Sequence, residues 1–280
     1  MLSRLLGFFV IGVLQGVLEW LPVSSEGFLM LTSMFLLNLP PSTALTTAII
    51  LHLPSTLAAI VLVRREVASA IRFILKFKGG EAGSKELALF IVLSALLTGL
   101  VGVPCYLCLE KLLVGLERTV EESCRVVASL IGFFLIVTGL LMKVRKFGGV
   151  RCIKDVRVKD GVLTGVLQGI AVIPGLSRSG LTVAGLLWLG FNGRDSLKLS
   201  FLALTPLIPG FILLWYLGGG GVTLYLPVAL LSSFISSLIL AKTLLMLAEK
   251  IRFWAFLMFF GLLLFAGNIL TLYFHPAFLR

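Results

Sequence analysis

Six apolar runs fix what this chain can fold into. They cover about Ala44–Val63, Leu87–Leu109, Val126–Met142, Leu197–Leu217, Leu224–Leu247 and Phe253–Phe274. A helix rises about 1.5 Å per residue, so a run of roughly 20 residues matches the ~30 Å hydrocarbon core of a bilayer. The rest of the composition agrees. Hydrophobic residues make up 59% of the chain and charged residues 13%, with a mean hydropathy of +1.10, whereas about a quarter of a soluble domain is charged. The first apolar stretch leads into polar residues rather than a small-residue cleavage site, so it does not read as a cleavable signal. The net charge of +11 falls in the segments between runs. It reads as the positive-inside pattern of membrane loops and not as a nucleic-acid surface.

Two further apolar stretches are too short to span and carry polar residues at one end. The first is Gly12–Phe28, GVLQGVLEWLPVSSEGF; the second is Gly165–Gly180, GVLQGIAVIPGLSRSG. Each predicts two short helices around a break. Residues 5–20 and Glu26–Leu37 flank Pro22, and Gly161–Ile173 and Gly180–Leu189 flank PGLSRS. Such re-entrant hairpins exist in membranes only where their backbone is buried in protein or lines a wet cavity. The chain thus reads as six transmembrane helices plus two re-entrant helical hairpins.

If each hairpin enters and leaves on one side, the loops sort into two sets, holding 17 and 5 of the 24 lysines and arginines. The richer set is assigned to the cytoplasm, which puts both termini and the opening of the first hairpin on the outer face of the plasma membrane. Each half then holds one hairpin and three spans. An odd number of crossings makes the second half an inverted copy of the first, within a single membrane domain, with repeats over about 2–144 and 152–280. Asp160, at the end of the basic linker, is a candidate helix N-cap. Cys105 and Cys108 form a C-x-x-C without a second pair and, like Cys124 and Cys152, read as small packing residues.

Chemistry concentrates in the two short stretches. Among 13 acids, only Glu19 and Glu26 lie inside the apolar frame, joined there by a single arginine, Arg178. A charge inside the bilayer costs roughly 2.5–3.5 kcal/mol on insertion scales and persists when it is paired, binds an ion or lines a wet cavity. Gln15 and Glu19 are i,i+4 and share a helical face, a pair of oxygens suited to Mg²⁺ or Ca²⁺ with phosphate completing the shell; an ordinary amphipathic helix end is the other reading. Ser177, Arg178, Ser179 and Thr182 gather where a helix begins, a setting for an oxyanion or for simple N-capping. Ser24 and Ser25 read as nucleophile, phosphate ligand or N-cap. His52 reads as a structural hydrogen-bonder and Lys242 as a snorkelling side chain.

The stretches from Gln15 to LPVSS (Leu21–Ser25), LHLPSTLA (Leu51–Ala58), Gln168–Thr182 and LSFLALTP (Leu199–Pro206) resemble the undecaprenyl-diphosphate phosphatase family of the bacitracin-resistance type. The resemblance implies a membrane enzyme that removes the terminal phosphate of a polyprenyl diphosphate in the presence of a divalent cation, Mg²⁺ or Ca²⁺, regenerating the monophosphate carrier for envelope glycans. It implies Glu19, Ser24, Ser25 and Arg178 as catalytic residues and Ser177, Arg178 and Thr182 as phosphate binders, to which the reading of the residues adds Ser179 and Gln168 at the phosphate and Gln15 beside Glu19 at the metal. The family often has an acid at Gln15 and a histidine at Phe28. Glu26 stands close to that position and is expected to take over part of the histidine's role. Two other readings are a transporter or flippase for the phosphorylated lipid and a non-catalytic lipid-binding protein. A homodimer is compatible with all three.

Overall fold

The computed structural model describes residues 2–21, 23–76, 83–115, 120–143, 149–221, 223–250 and 253–274. The expected break at Pro22, the loop residues Glu117 and Arg118, the centre of the basic linker and Arg280 lie outside these residues, as do the side chains of Cys124 and Lys242. The described regular structure is helical, with one isolated bridge between Arg151 and Phe191.

The first short pair is α1 (Leu2–Leu18) and α2 (Ser25–Leu37). Ser24 caps α2 through the Gly27 amide, and Asn38 ends it in the left-handed region at φ 53°, which asparagine tolerates. Next come α3 (Pro41–Ile50) and α4 (His52–Leu62), a single crossing broken at Leu51. Pro54 explains the break, because it has no N–H for the Ile50 carbonyl and its ring crowds the preceding turn.

The basic stretch after the first crossing holds a helix that its composition did not announce, α5 (Arg64–Lys76). Val67, Ala70 and Phe73 turn to the core while Arg64, Arg65 and Arg72 stay exposed. Then follow α6 (Ser84–Gly115) and α7 (Val120–Lys143). Both outrun their apolar cores, and α6 continues through Glu110 and Lys111.

The second short pair is α8 (Val158–Ile170) and α9 (Arg178–Trp188). Asp160 is not the N-cap of α8, which is Arg157, but the N3 residue of its capping box. It sits one turn in, where it accepts the Arg157 N–H at 2.7 Å and pairs with Arg151 at 2.5 Å. A second broken crossing, α10 (Gly193–Leu204) and α11 (Ile208–Leu217), is interrupted around Pro206, as the first is at Leu51 ahead of Pro54. The chain closes with α12 (Leu226–Lys250) and α13 (Phe253–Phe274).

Three lengthwise pairings organise these helices: α1 on α12, α8 on α6 and α7 on α13. Glycines permit the first two. A Cβ at Gly16 would stand 2.6 Å from the Ser233 carbonyl oxygen, and one at Gly165 would stand 2.6 Å from that of Ser94. Small residues at the seam let backbones approach this closely, which is how helices associate in lipid. Among the described residues, four helices are long and apolar enough to cross a membrane: Pro41–Leu62, Ser84–Gly115, Arg125–Lys143 and Gly193–Leu217. By contrast α2 and α8 have 13 residues each and α9 has 11, at most about 20 Å of helix.

Candidate functional site

The breaks of the two short pairs meet tip to tip. Ser24 Oγ accepts the Gly175 N–H at 3.0 Å, Ser177 Oγ donates to the Val23 carbonyl at 3.0 Å, and Ser179 Oγ donates to the Leu21 carbonyl at 3.2 Å. Broken helix ends leave orphan backbone groups, and each tip satisfies those of the other. Gly175 makes this possible. Its φ is +100°, and a Cβ there would lie 2.7 Å from the Ile131 carbonyl oxygen.

The meeting of the tips brings Glu19 to Arg178. Glu19 is only 3% exposed, and its Oε1 forms an ion pair with Arg178 Nη2. Arg178 Nη1 reaches the Ser200 carbonyl at 3.3 Å, and the guanidinium lies over Phe201. The other carboxylate oxygen, Glu19 Oε2, collects Gln15 Nε2 at 2.9 Å, Ser25 Oγ at 3.3 Å and His52 Nε2 at 3.4 Å. His52 Nδ1 lies 3.0 Å from the Ala48 carbonyl, which can only accept, so that nitrogen carries a proton. His52 is thus tied to the site and not merely to its own helix. The signal for this was the polar set His52, Ser55, Thr56 on an otherwise apolar helix.

The other hydroxyls expected at the phosphate are engaged in building the tips. Ser24 and Ser177 are the N-caps of α2 and α9, Ser179 holds Leu21, and Thr182 Oγ1 meets Ser200 Oγ at 2.6 Å. Four other predicted residues do converge: Glu19, Ser25, Gln15 and Arg178.

A cavity of about 220 Å³ lies between α6, α8 and α11 and is lined chiefly by apolar and small residues. Its polar wall is Glu26, His52, Thr98, Gln168 and Arg178. Arg178 belongs both to this wall and to the Glu19 cluster. Phe28 does not line the cavity; it packs edge-on against Phe260 at 5.9 Å between centroids.

The Gln15–Glu19 pair does not fit the cation expected of it. Gln15 meets the carboxylate through its N–H, not its oxygen. That orientation is fixed because Nε2 also donates to Ser55 Oγ at 3.1 Å, a hydroxyl whose own proton goes to the His52 carbonyl. The Arg178 pair and the Gln15 and Ser25 donors already occupy both Glu19 oxygens.

An all-helical chain with several membrane-length apolar helices and a carboxylate–guanidinium pair buried at its centre defines a multi-pass membrane protein with an internal polar site. The chain belongs to the family of the bacitracin resistance protein BacA, whose model matches residues 8–265. It is similar to an undecaprenyl-diphosphatase of Methanopyrus kandleri, 37% identical over 247 residues that cover 86% of this chain and 88% of the relative. A relative of the same name from Haloarcula marismortui is 34% identical, covering 96% of this chain and 99% of its own. Another, from Sulfurisphaera tokodaii, is 34% identical over 75% and 73% of the two chains.

Proposed function

We propose that this protein hydrolyses undecaprenyl diphosphate, or a closely similar polyprenyl diphosphate, to the monophosphate and inorganic phosphate. One observation carries the reading: Arg178 is shared between the cavity wall and the Glu19–Ser25 cluster. A diphosphate drawn to the guanidinium, a bidentate partner for phosphate oxygens, arrives beside the serine. The apolar remainder of the cavity suits the first isoprene units, and the tail continues between helices into the bilayer. The names of the relatives favour hydrolysis over transport without cleavage.

In this mechanism Ser25 Oγ attacks the terminal phosphorus and its proton passes to Glu19 Oε2. His52 Nε2, 3.4 Å from that oxygen, gives the proton an onward route. The bridging P–O bond breaks, and the prenyl monophosphate leaves with the electron pair. Water then cleaves the phosphoserine, and Ser25 regains a proton. Arg178 neutralises charge on the transferring group, the largest kind of contribution to phosphoryl transfer. Mg²⁺ or Ca²⁺ bound with the substrate would supply further neutralisation.

The proposed architecture is six crossings and two re-entrant hairpins in inverted repeats, with both termini outside. The matched pairings support it: the first helix of each hairpin, α1 or α8, lies along the second long helix of the other half, α12 or α6. The paired breaks at Leu51 and around Pro206 support it as well. The test of function is phosphate release from undecaprenyl diphosphate by purified protein with Mg²⁺ or Ca²⁺. Release by wild type and its loss in Arg178→Ala and Glu19→Ala are expected; no release under any of these conditions overturns the reading.

A further inference from the structure

Helix α5 is held at one level of the membrane. The crossing Pro41–Leu62 ends two residues before Arg64, and the next begins at Ser84. Ser69 Oγ lies 3.0 Å from Ser84 Oγ, so the middle of α5 is tied to the first residue of α6. Val67, Ala70 and Phe73 pack the helix inward. Its outer face therefore sits at the edge of the hydrocarbon core, where lipid headgroups begin.

Two stripes run along that face, because residues three and four apart share a side of a helix. Arg65, Ala68, Ser69 and Arg72 make one; Arg64, Ala68, Ile71 and Leu75 make the other. Ala68 and Ser69 are small, and a groove of about 560 Å³ lies over them between Arg64, Arg65 and Arg72. Arg72 Nε donates to the Ala68 carbonyl at 3.2 Å, which folds the side chain back along the groove and leaves its two terminal nitrogens for a ligand. Among the described residues no carboxylate pairs with any of the three arginines. Glu66, the acid of α5, is spent on Lys198 at 3.2 Å. Beside the arginines, Ile71 and Leu75 are 48% and 76% exposed, a poor arrangement against water and a good one against acyl chains. A positive-inside bias asks only for a number of cations. It does not ask that three of them converge on one groove next to bare aliphatic side chains.

We propose that the outer face of α5 binds one anionic phospholipid, with Arg64, Arg65 and Arg72 on its phosphate and Ile71 and Leu75 along its acyl chains. Guanidinium forks match phosphate oxygens, and a helix at the interface holds anionic lipid through charge and buried apolar area together. An acidic protein segment would satisfy the arginines but leave Ile71 and Leu75 bare at the lipid edge. The site is separate from Arg178 and Glu19 and does not rest on the phosphatase reading.

The probe is dioleoylphosphatidylglycerol, titrated into the purified full-length protein in detergent and followed by native mass spectrometry, with dioleoylphosphatidylcholine as the zwitterionic comparison. Wild type is expected to bind one phosphatidylglycerol at least tenfold more tightly than phosphatidylcholine. The triple variant Arg64→Gln, Arg65→Gln, Arg72→Gln should lose that preference. A second triple variant, Arg157→Gln, Lys159→Gln, Arg194→Gln, removes as much charge from other exposed positions and should bind within about twofold of wild type. Thermal unfolding gives a second readout: phosphatidylglycerol raises the midpoints of wild type and the second variant, but not that of the first. An equal loss in the two triple variants would reduce the effect to diffuse charge and overturn the site. So would displacement of the lipid by inorganic phosphate at equal concentration, which would make the groove a site for free phosphate.

Discussion

Arg178 and Glu19 lie 159 residues apart in the chain and form an ion pair in the buried centre of the protein. The pair joins the two short-helix motifs, and each member holds the other where lipid-facing helices would otherwise exclude both.

Removing one partner strands the other. Arg178→Met and Glu19→Leu should each cost about 3–5 kcal/mol, as truncated buried pairs do. The double variant should recover most of that stability, and none of the three should release phosphate. A thermal-unfolding double-mutant cycle, run beside the phosphate assay, checks both halves. Full additivity of the two losses would show that the pair is not coupled.

The adjacent serines should separate. Ser25 reaches Glu19 Oε2, whereas Ser24 caps α2 and binds the Gly175 amide. Ser25→Ala should lower the rate about 10³-fold or more with little change in stability. Ser24→Ala should cost about 1–2 kcal/mol of stability, with activity falling only as far as the folded fraction does. Comparing initial rates with unfolding midpoints for the two variants decides the matter.

Helix seams give a third expectation. Gly16→Val and Gly165→Val should force α1 from α12 and α8 from α6, at about 1–3 kcal/mol each. A Cβ at Gly267 meets nothing within 4 Å, so Gly267→Ala should be neutral or up to ~1 kcal/mol stabilising. Melting curves in one detergent report all three.

The Arg151–Asp160 pair straps the segment before α8 to its first turn, with Arg151 also bound to the Leu189 carbonyl at 2.9 Å. Asp160→Ala should release residues 149–157 and speed their cleavage in limited proteolysis. Asp155 next to it is exposed, and its carboxyl is held below the ordinary range first by the Cys152 backbone N–H, then by the Cys152 thiol, with Arg151 and Arg157 adding to it. A depressed folded value stabilises above the unfolded pKa, near 3.8, and that share is lost as pH falls through the folded value. Asp155→Asn should therefore make the strap less sensitive to acid, seen as proteolysis rates that change less below about pH 4.

Much of this was legible in the residue order. Apolar length marked the crossings, because a bilayer accepts only helices of a set length. The short motifs stood out because Glu19, Glu26 and Arg178 are expensive inside an apolar frame. Helix α5 escaped notice because its charges dominate its composition and its Val67, Ala70, Phe73 stripe is narrow.

What the sequence determined by itself was which residues cannot face lipid, and hence that the two polar motifs must meet somewhere inside. What they do on meeting was decided by tertiary structure. Gln15 and Gln168 both follow the run GVL, yet one turns its N–H to the Glu19 carboxylate and the other to the Ala203 carbonyl and Thr98. Ser24 and Ser25 are neighbours, yet one builds the tip and the other reaches Glu19. Spacing along a helix selects a face, but the donor or acceptor shown there depends on which side chains and carbonyls the opposing helices bring within about 3 Å.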